Sequence, residues 1–109
     1  MRIEITELNW PERQELSFSE LLELSGLTQA ELNELVSGGA IAALDTDAAA
    51  SAFTSRYNAL ALLRARTARR LRDDFDLNTS GLALALTLLE RIEQLEQQAG
   101  ALRARLTRW

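Results

Sequence analysis

Phe18-Ser19-Glu20-Leu21-Leu22-Glu23-Leu24-Ser25-Gly26-Leu27-Thr28-Gln29-Ala30-Glu31-Leu32-Asn33-Glu34-Leu35-Val36 decides the fold. Ser19 is placed to cap a first helix, since a serine hydroxyl accepts from the orphan N–H groups of a first turn. Leu21, Leu22 and Leu24 supply its buried side, with Glu20 and Glu23 outside. Gly26 ends it, because glycine takes up the left-handed backbone at a helix C-terminus without a Cβ clash. Thr28 and Glu31 form a capping box that starts a second helix. Leu32, Leu35 and Val36 give this helix one apolar face, and Gly38-Gly39 stop it. Two short helices across a tight glycine turn are a helix-turn-helix.

Outward from this unit the signals are weaker. Before it, Ile3 and Ile5 alternate with Glu4 and Thr6 as a short strand would, and Asn9-Trp10-Pro11 interrupts any regular element. After it, Ala40-Ile41-Ala42-Ala43-Leu44 and Ala52-Phe53-Thr54-Ser55-Arg56-Tyr57 flank the turn residues Asp45-Thr46-Asp47. This pattern predicts a β-hairpin, or wing, with Phe53, Ser55 and Tyr57 on one face. Asn58 is a cap for a third helix running to about Arg72, with Leu60, Leu63, Thr67 and Leu71 as its inner stripe. Asp73-Asp74-Phe75-Asp76-Leu77 ends that helix, and Asn78 or Thr79 caps the last one.

The last helix carries the longest periodic signal. Leu88, Ile92, Leu95, Ala99, Leu102, Leu106 and Trp109 alternate in steps of four and three, the a/d seam of a coiled coil. Gly100 weakens that helix by about 1 kcal/mol relative to alanine without shifting the register. An exposed helix of this kind needs a partner for its seam, and a second copy of the chain is the simplest one. The expected architecture is mainly α: a winged helix-turn-helix domain over residues 1–77 with an N-terminal strand, then a C-terminal dimerisation helix over 78–109.

Composition narrows function. The 109 residues include no cysteine and no histidine. That removes thiolate chemistry, the commonest zinc ligands and the side chain best suited to proton transfer near neutral pH. No nucleophile–base pair is recognisable, so the sequence reads as a binding module rather than an enzyme, and no cofactor is expected. Neither Asp45 with Asp47 nor Asp73, Asp74 and Asp76 has the spacing and closing Glu of a calcium loop, so these are turn and cap residues and no metal site is expected. No apolar run is long enough to span a membrane, and the N-terminus lacks the features of a secretory signal, which points to the cytoplasm.

Charge is divided unevenly. Residues 1–55 hold two arginines against ten acidic groups, whereas residues 56–109 hold ten arginines against six. Every basic residue is arginine, a usage that genomic bias alone can produce. A second helix that reads DNA presents cations or amides to the groove. Here it offers Gln29 and Asn33 but adds Glu31 and Glu34, which a polyanion repels. Nucleic acid is therefore disfavoured. Arg64, Arg66, Arg69, Arg70 and Arg72 are solvated, paired with the acids, or part of a partner surface. Glu20, Glu23, Glu31, Glu34, Asp45 and Asp47 make either a solvated face or a docking face for a basic protein module.

The order of elements resembles the MerR family. Phe18 to Thr28 is similar to the opening of that family's DNA-binding domain, Gly39-Ala40-Ile41 to its wing entry, and Arg56-Tyr57 to the pair that closes the wing. A closer resemblance is to the short CbpM-type chaperone modulators. It rests on Glu31-Leu32-Asn33-Glu34-Leu35-Val36, on Arg70-Leu71-Arg72-Asp73, and on Gly81-Leu82-Ala83-Leu84-Ala85-Leu86-Thr87-Leu88-Leu89-Glu90-Arg91-Ile92. It covers roughly residues 15 to 108. The resemblance implies a protein partner: the J-domain of a CbpA-type DnaJ homologue, whose stimulation of the Hsp70 chaperone DnaK would be restrained. J-domains carry a basic helix, so the acidic half is the expected contact face, and reversing Glu31 and Glu34 to Arg should abolish binding. The alternative implied function is a MerR-like transcriptional regulator, dimeric on a palindromic operator, with Arg56, Tyr57, Arg64 and Arg66 on phosphates. A structural homodimer without a separate ligand is a third reading.

Overall fold

The computed structural model describes residues 15–44 and 51–107. The expected strand around Ile3 and Ile5, the break at Trp10-Pro11, the turn at Asp45-Thr46-Asp47 and the seam residue Trp109 all lie outside the described residues.

The described chain runs β1 (Leu16–Ser17), α1 (Phe18–Ser25), α2 (Gln29–Ser37), a 3₁₀ turn (Ala52–Thr54), β2 (Arg56–Tyr57), α3 (Ala59–Phe75) and α4 (Thr79–Leu106). The fold is mainly α, with one small antiparallel sheet. Ser17, not Ser19, caps α1: its hydroxyl accepts the Glu20 N–H at 3.2 Å while Glu20 Oε1 accepts the Ser17 N–H at 3.1 Å. The reciprocal box needs a Glu or Gln three residues on. Ser17 has Glu20 there, whereas Ser19 has Leu22. The inner face of α1 is Phe18, Leu21 and Ser25, and Leu24 is 45 % exposed, so Leu24 is not the core residue expected. Ser25 is buried yet satisfied, donating to Leu22 O and accepting from the Leu27 N–H, each at 3.2 Å. Gly26 ends α1 at φ +79°, and the Arg69 side chain lies where its Cβ would be. The Thr28–Glu31 box starts α2 as expected, and Leu32 and Leu35 are fully buried.

The wing departs from the expected hairpin. The strand that pairs with Arg56–Tyr57 is Leu16–Ser17, in the register Leu16↔Tyr57 and Ser17↔Arg56. Of the expected pairing between 40–44 and 52–57, one backbone bond is present, Leu44 N–H to Arg56 O at 2.8 Å. Ala52–Thr54 is helical rather than extended. Alanine is a poor strand former, and Ser51, Thr54 and Ser55 satisfy one another locally: Ser55 Oγ donates to Ser51 O at 2.8 Å and Ser51 N–H to Thr54 Oγ1 at 3.2 Å. Phe53 is half exposed and meets Phe18 edge-on at 4.9 Å.

Asn58 caps α3, which extends three residues past Arg72 before Asp76 closes it at φ +54°. Its inner stripe is Ala61, Leu62, Ala65 and Ala68, all buried. The expected stripe is displaced: Leu60 is 50 % exposed, and Leu63, Thr67 and Leu71 sit at the margin. Small side chains on the inner face let α3 approach α1 and α4 closely. Asn78, rather than Thr79, caps α4 by accepting the Gly81 N–H at 2.8 Å. Leu82 and Leu86 of α4 enter the same core as Leu21, Leu32, Leu35 and Leu62, so the core runs on past residue 77. Beyond Glu90 the helix leaves the body and is exposed apart from the half-buried Ala99, giving a molecule of 51 × 33 × 31 Å.

Candidate partner-binding surface

Two surfaces follow from this arrangement, an electronegative face on the helix-turn-helix and an apolar seam along α4. On the first, the four acids of α1 and α2 have different roles. Glu20 is exposed but occupied with its cap, and the Ser17 N–H and hydroxyl hold its carboxyl below the ordinary range. Glu23 and Glu34 are exposed. Glu31 turns inward. Its Oε1 accepts from Arg72 Nη1 at 2.6 Å and from the Thr28 N–H at 2.9 Å. Arg72 in turn donates through Nε to Asp73 at 3.0 Å. Burial pushes the Glu31 carboxyl up, but the Thr28 N–H and the Arg72 guanidinium outweigh it and hold the group below the usual carboxylate value. Hydrogen bonds from Glu31 and Asp73 raise Arg72. Asp45 and Asp47 lie outside the described residues.

A carboxylate depressed in the folded state stabilises the fold above its unfolded pKa of about 4.3, and that contribution disappears as pH falls through the lower folded value. Glu31→Gln should therefore cost about 2 kcal/mol at pH 7, from a weakened cap and a partly buried guanidinium left short of its partner. The difference from the unsubstituted chain should shrink below pH 4. Urea midpoints at pH 7 and pH 3 measure both.

The arginines are largely committed within the fold. Arg64 faces Glu90 at 3.5 Å, Arg66 Nε donates to Leu24 O at 3.3 Å, and Arg69 faces Asp73 at 3.7 Å. Arg66 and Arg69 thus bring positive charge to the C-terminal end of α1, which has no basic residue of its own. Arg56 bonds Glu15 O at 3.3 Å and faces the Glu15 carboxylate at 3.6 Å. Tyr57 corrects the alternative phosphate-contacting set: it is fully buried, and its hydroxyl donates to Ala52 O at 2.7 Å, so it does not face a phosphate backbone. The Glu31–Arg72 link joins residues 41 apart, and no local pattern announces it.

The second surface is the outer side of α4. Leu84, Leu88, Ile92, Leu95, Leu102 and Leu106 are exposed, from 46 % at Leu95 to 71 % at Leu106, with Ala99 half-buried between them. Among the described residues no group of three acidic side chains converges to hold a metal ion, and no helix is long and apolar enough to cross a membrane.

Residues 16–104 match the family model of MerR helix-turn-helix regulatory proteins. The chain is also 36 % identical over 85 residues to the chaperone modulatory proteins CbpM of Salmonella arizonae, Salmonella newport and Salmonella enteritidis, covering 78 % of this chain and 80 % of each relative. It belongs to the CbpM family. The stretch matched by the family model takes in the helix-turn-helix, α3 and α4 through Ala104, so the acidic face and the seam as far as Leu102 fall within it. In this CbpM-family chain the helix in the DNA-reading position of the motif, α2, exposes Gln29, Ala30, Glu34 and Ser37 and carries no cation.

Proposed function

We propose that the chain is a non-enzymatic, cytoplasmic chaperone modulator. In this reading it binds the J-domain of a CbpA/DnaJ-type co-chaperone, limits that protein's stimulation of DnaK, and acts as a homodimer joined through α4. The observation that carries the proposal is the uncharged-to-acidic surface of α2. A recognition helix without a cation, beside Glu23 on α1, is repelled by a phosphate backbone and attracts a basic protein helix. The names of the relatives, chaperone modulatory proteins, support modulation of chaperones over catalysis. Internal pairing of Arg64 and Arg66 and burial of Tyr57 weigh against the operator-binding alternative.

Calorimetric titration with the J-domain of the same organism's CbpA-type protein, over a salt series and with duplex DNA as a second titrant, tests the reading. Expected are saturable J-domain binding that weakens as salt rises, no DNA binding, and a loss of about tenfold for Glu34→Arg through like-charge repulsion. Reversing Glu31 as well confounds the result, because it also breaks the link to Arg72. DNA binding without J-domain binding would reinstate the transcriptional regulator.

A further inference from the structure

The corner between α3 and α4 combines features that do nothing for the single chain. Phe75, the last residue of α3, is 67 % exposed, the barest aromatic ring among the described residues. Asp74 and Asp76 flank it, and both are exposed. Arg69 and Arg72 meet the neighbouring Asp73 at 3.7 and 3.0 Å. No ion pair or side-chain hydrogen bond between described residues reaches Asp74 or Asp76. These carboxylates stand at the C-terminal end of α3, where the helix dipole is itself negative and favours cations. The corner is nonetheless held firmly. Asp76 closes α3 at φ +54° with its N–H on Arg72 O at 2.9 Å, Leu77 packs against the core, and Asn78 caps α4. It also adjoins the helix-turn-helix: Arg72 joins Glu31 of α2, at 2.6 Å, to Asp73, so the negative face of α2 runs on to the corner.

We propose that this corner is part of the partner-binding surface, with Phe75 as an aromatic anchor for the basic helix of the partner module. A lysine or arginine of that helix lies over the Phe75 ring, whose negative face attracts it, and Asp74 and Asp76 pair with the same cation or its neighbour. In the complex the ring leaves water, the carboxylates gain partners and the end of α3 gains positive charge. An apolar partner would leave both carboxylates unpaired, and a polyanion would be repelled. This rests on the J-domain reading above and extends its contact from α2 to the α3–α4 corner.

The experiment measures J-domain binding, thermal unfolding and sedimentation for the full chain and three variants. Phe75→Ser removes the ring. Asp74→Asn with Asp76→Asn removes both charges, and asparagine tolerates the left-handed backbone that Asp76 adopts. Glu93→Arg reverses an exposed charge on the outlying part of α4, away from both α2 and the corner, and serves as the control. Phe75→Ser should weaken binding by about tenfold and the double asparagine variant by about fivefold, the latter with a shallower salt dependence. Glu93→Arg should change binding by less than about threefold. Unfolding temperatures should stay level, or rise for the double asparagine variant, because two like charges leave a helix C-terminus. Backbone amide shifts of the unsubstituted chain, which need no variant, should move at Asp74, Phe75 and Leu77 on J-domain addition. Unchanged affinity in both corner variants, or shifts that spare the corner, would overturn its role and leave the J-domain on α2 alone. A Phe75→Ser chain of reduced sedimenting mass would also overturn it, by assigning the ring to a contact between copies. Absence of binding by the unsubstituted chain would overturn the functional reading itself, and the corner's role with it.

Discussion

Replacing Ile92 and Leu95 together with glutamate should convert a dimer into a monomer. Both side chains are about half exposed on α4 in the single chain and occupy adjacent seam positions. In a symmetric pair, four such side chains leave water at once. At about 1.5 kcal/mol each, the lower end for an aliphatic side chain, the loss is about 6 kcal/mol, or about 10⁴-fold in the dissociation constant. Four carboxylates forced into the same seam add to it. The helix itself should suffer too, since among the described residues the stretch beyond Glu90 is exposed apart from Ala99, and an isolated helix of that length is marginal in water. Sedimentation equilibrium should show the mass halved, and far-ultraviolet circular dichroism a partial loss of helix. Gln97→Glu, exposed on the same helix but off the seam, should alter neither. A monomeric unsubstituted protein at all concentrations would remove the homodimer from the proposed function.

The second large effect separates two neighbouring leucines. Leu62→Ala should cost about 3 kcal/mol, because Leu62 is fully enclosed and its removal leaves a cavity as well as lost apolar burial. Leu60→Ala should cost less than about 1 kcal/mol, since Leu60 is half in water already. For a chain of this size the first corresponds to a fall in melting temperature of about 15 °C. Thermal unfolding of the two variants at one protein concentration decides the orientation of α3. Equal losses would mean that α3 is rotated from the position described.

That orientation shows where the sequence is readable and where it is not. Helix limits are local chemistry: Gly26, Thr28 with Glu31, Asn58 and Asn78 each act within four residues, so each boundary can be placed from a few letters. The face of α3 is not local. Both a leucine stripe at 60, 63, 67 and 71 and an alanine-rich stripe at 61, 65 and 68 obey the helical period. The choice between them depends on how closely α1 and α4 approach. Hydropathy favours the leucines, while packing selects the small residues. Ser19 loses its cap to Ser17 for a local reason that the sequence does contain, the glutamate three residues on. The wing misleads because hydroxyl groups around Ser51 offer the backbone an alternative to a ladder. On the candidate surface, the acidic character of α2 is legible from composition. That Glu31 is tied down at the margin of the fold and Glu34 left on the surface is not, because the difference is made by Arg72, four turns into a later helix.

The two-residue ladder between Leu16–Ser17 and Arg56–Tyr57 bears on how such a chain can vary. It closes the helix-turn-helix and the wing into a loop whose two ends are fastened together, with Arg56 and Glu15, 41 residues apart, clasped across the join. For a flexible closed loop, doubling the length adds only about 0.6 kcal/mol of closure entropy. Insertions within the fastened loop, away from its two ends, therefore cost little in closure entropy. The fastening residues have no such freedom.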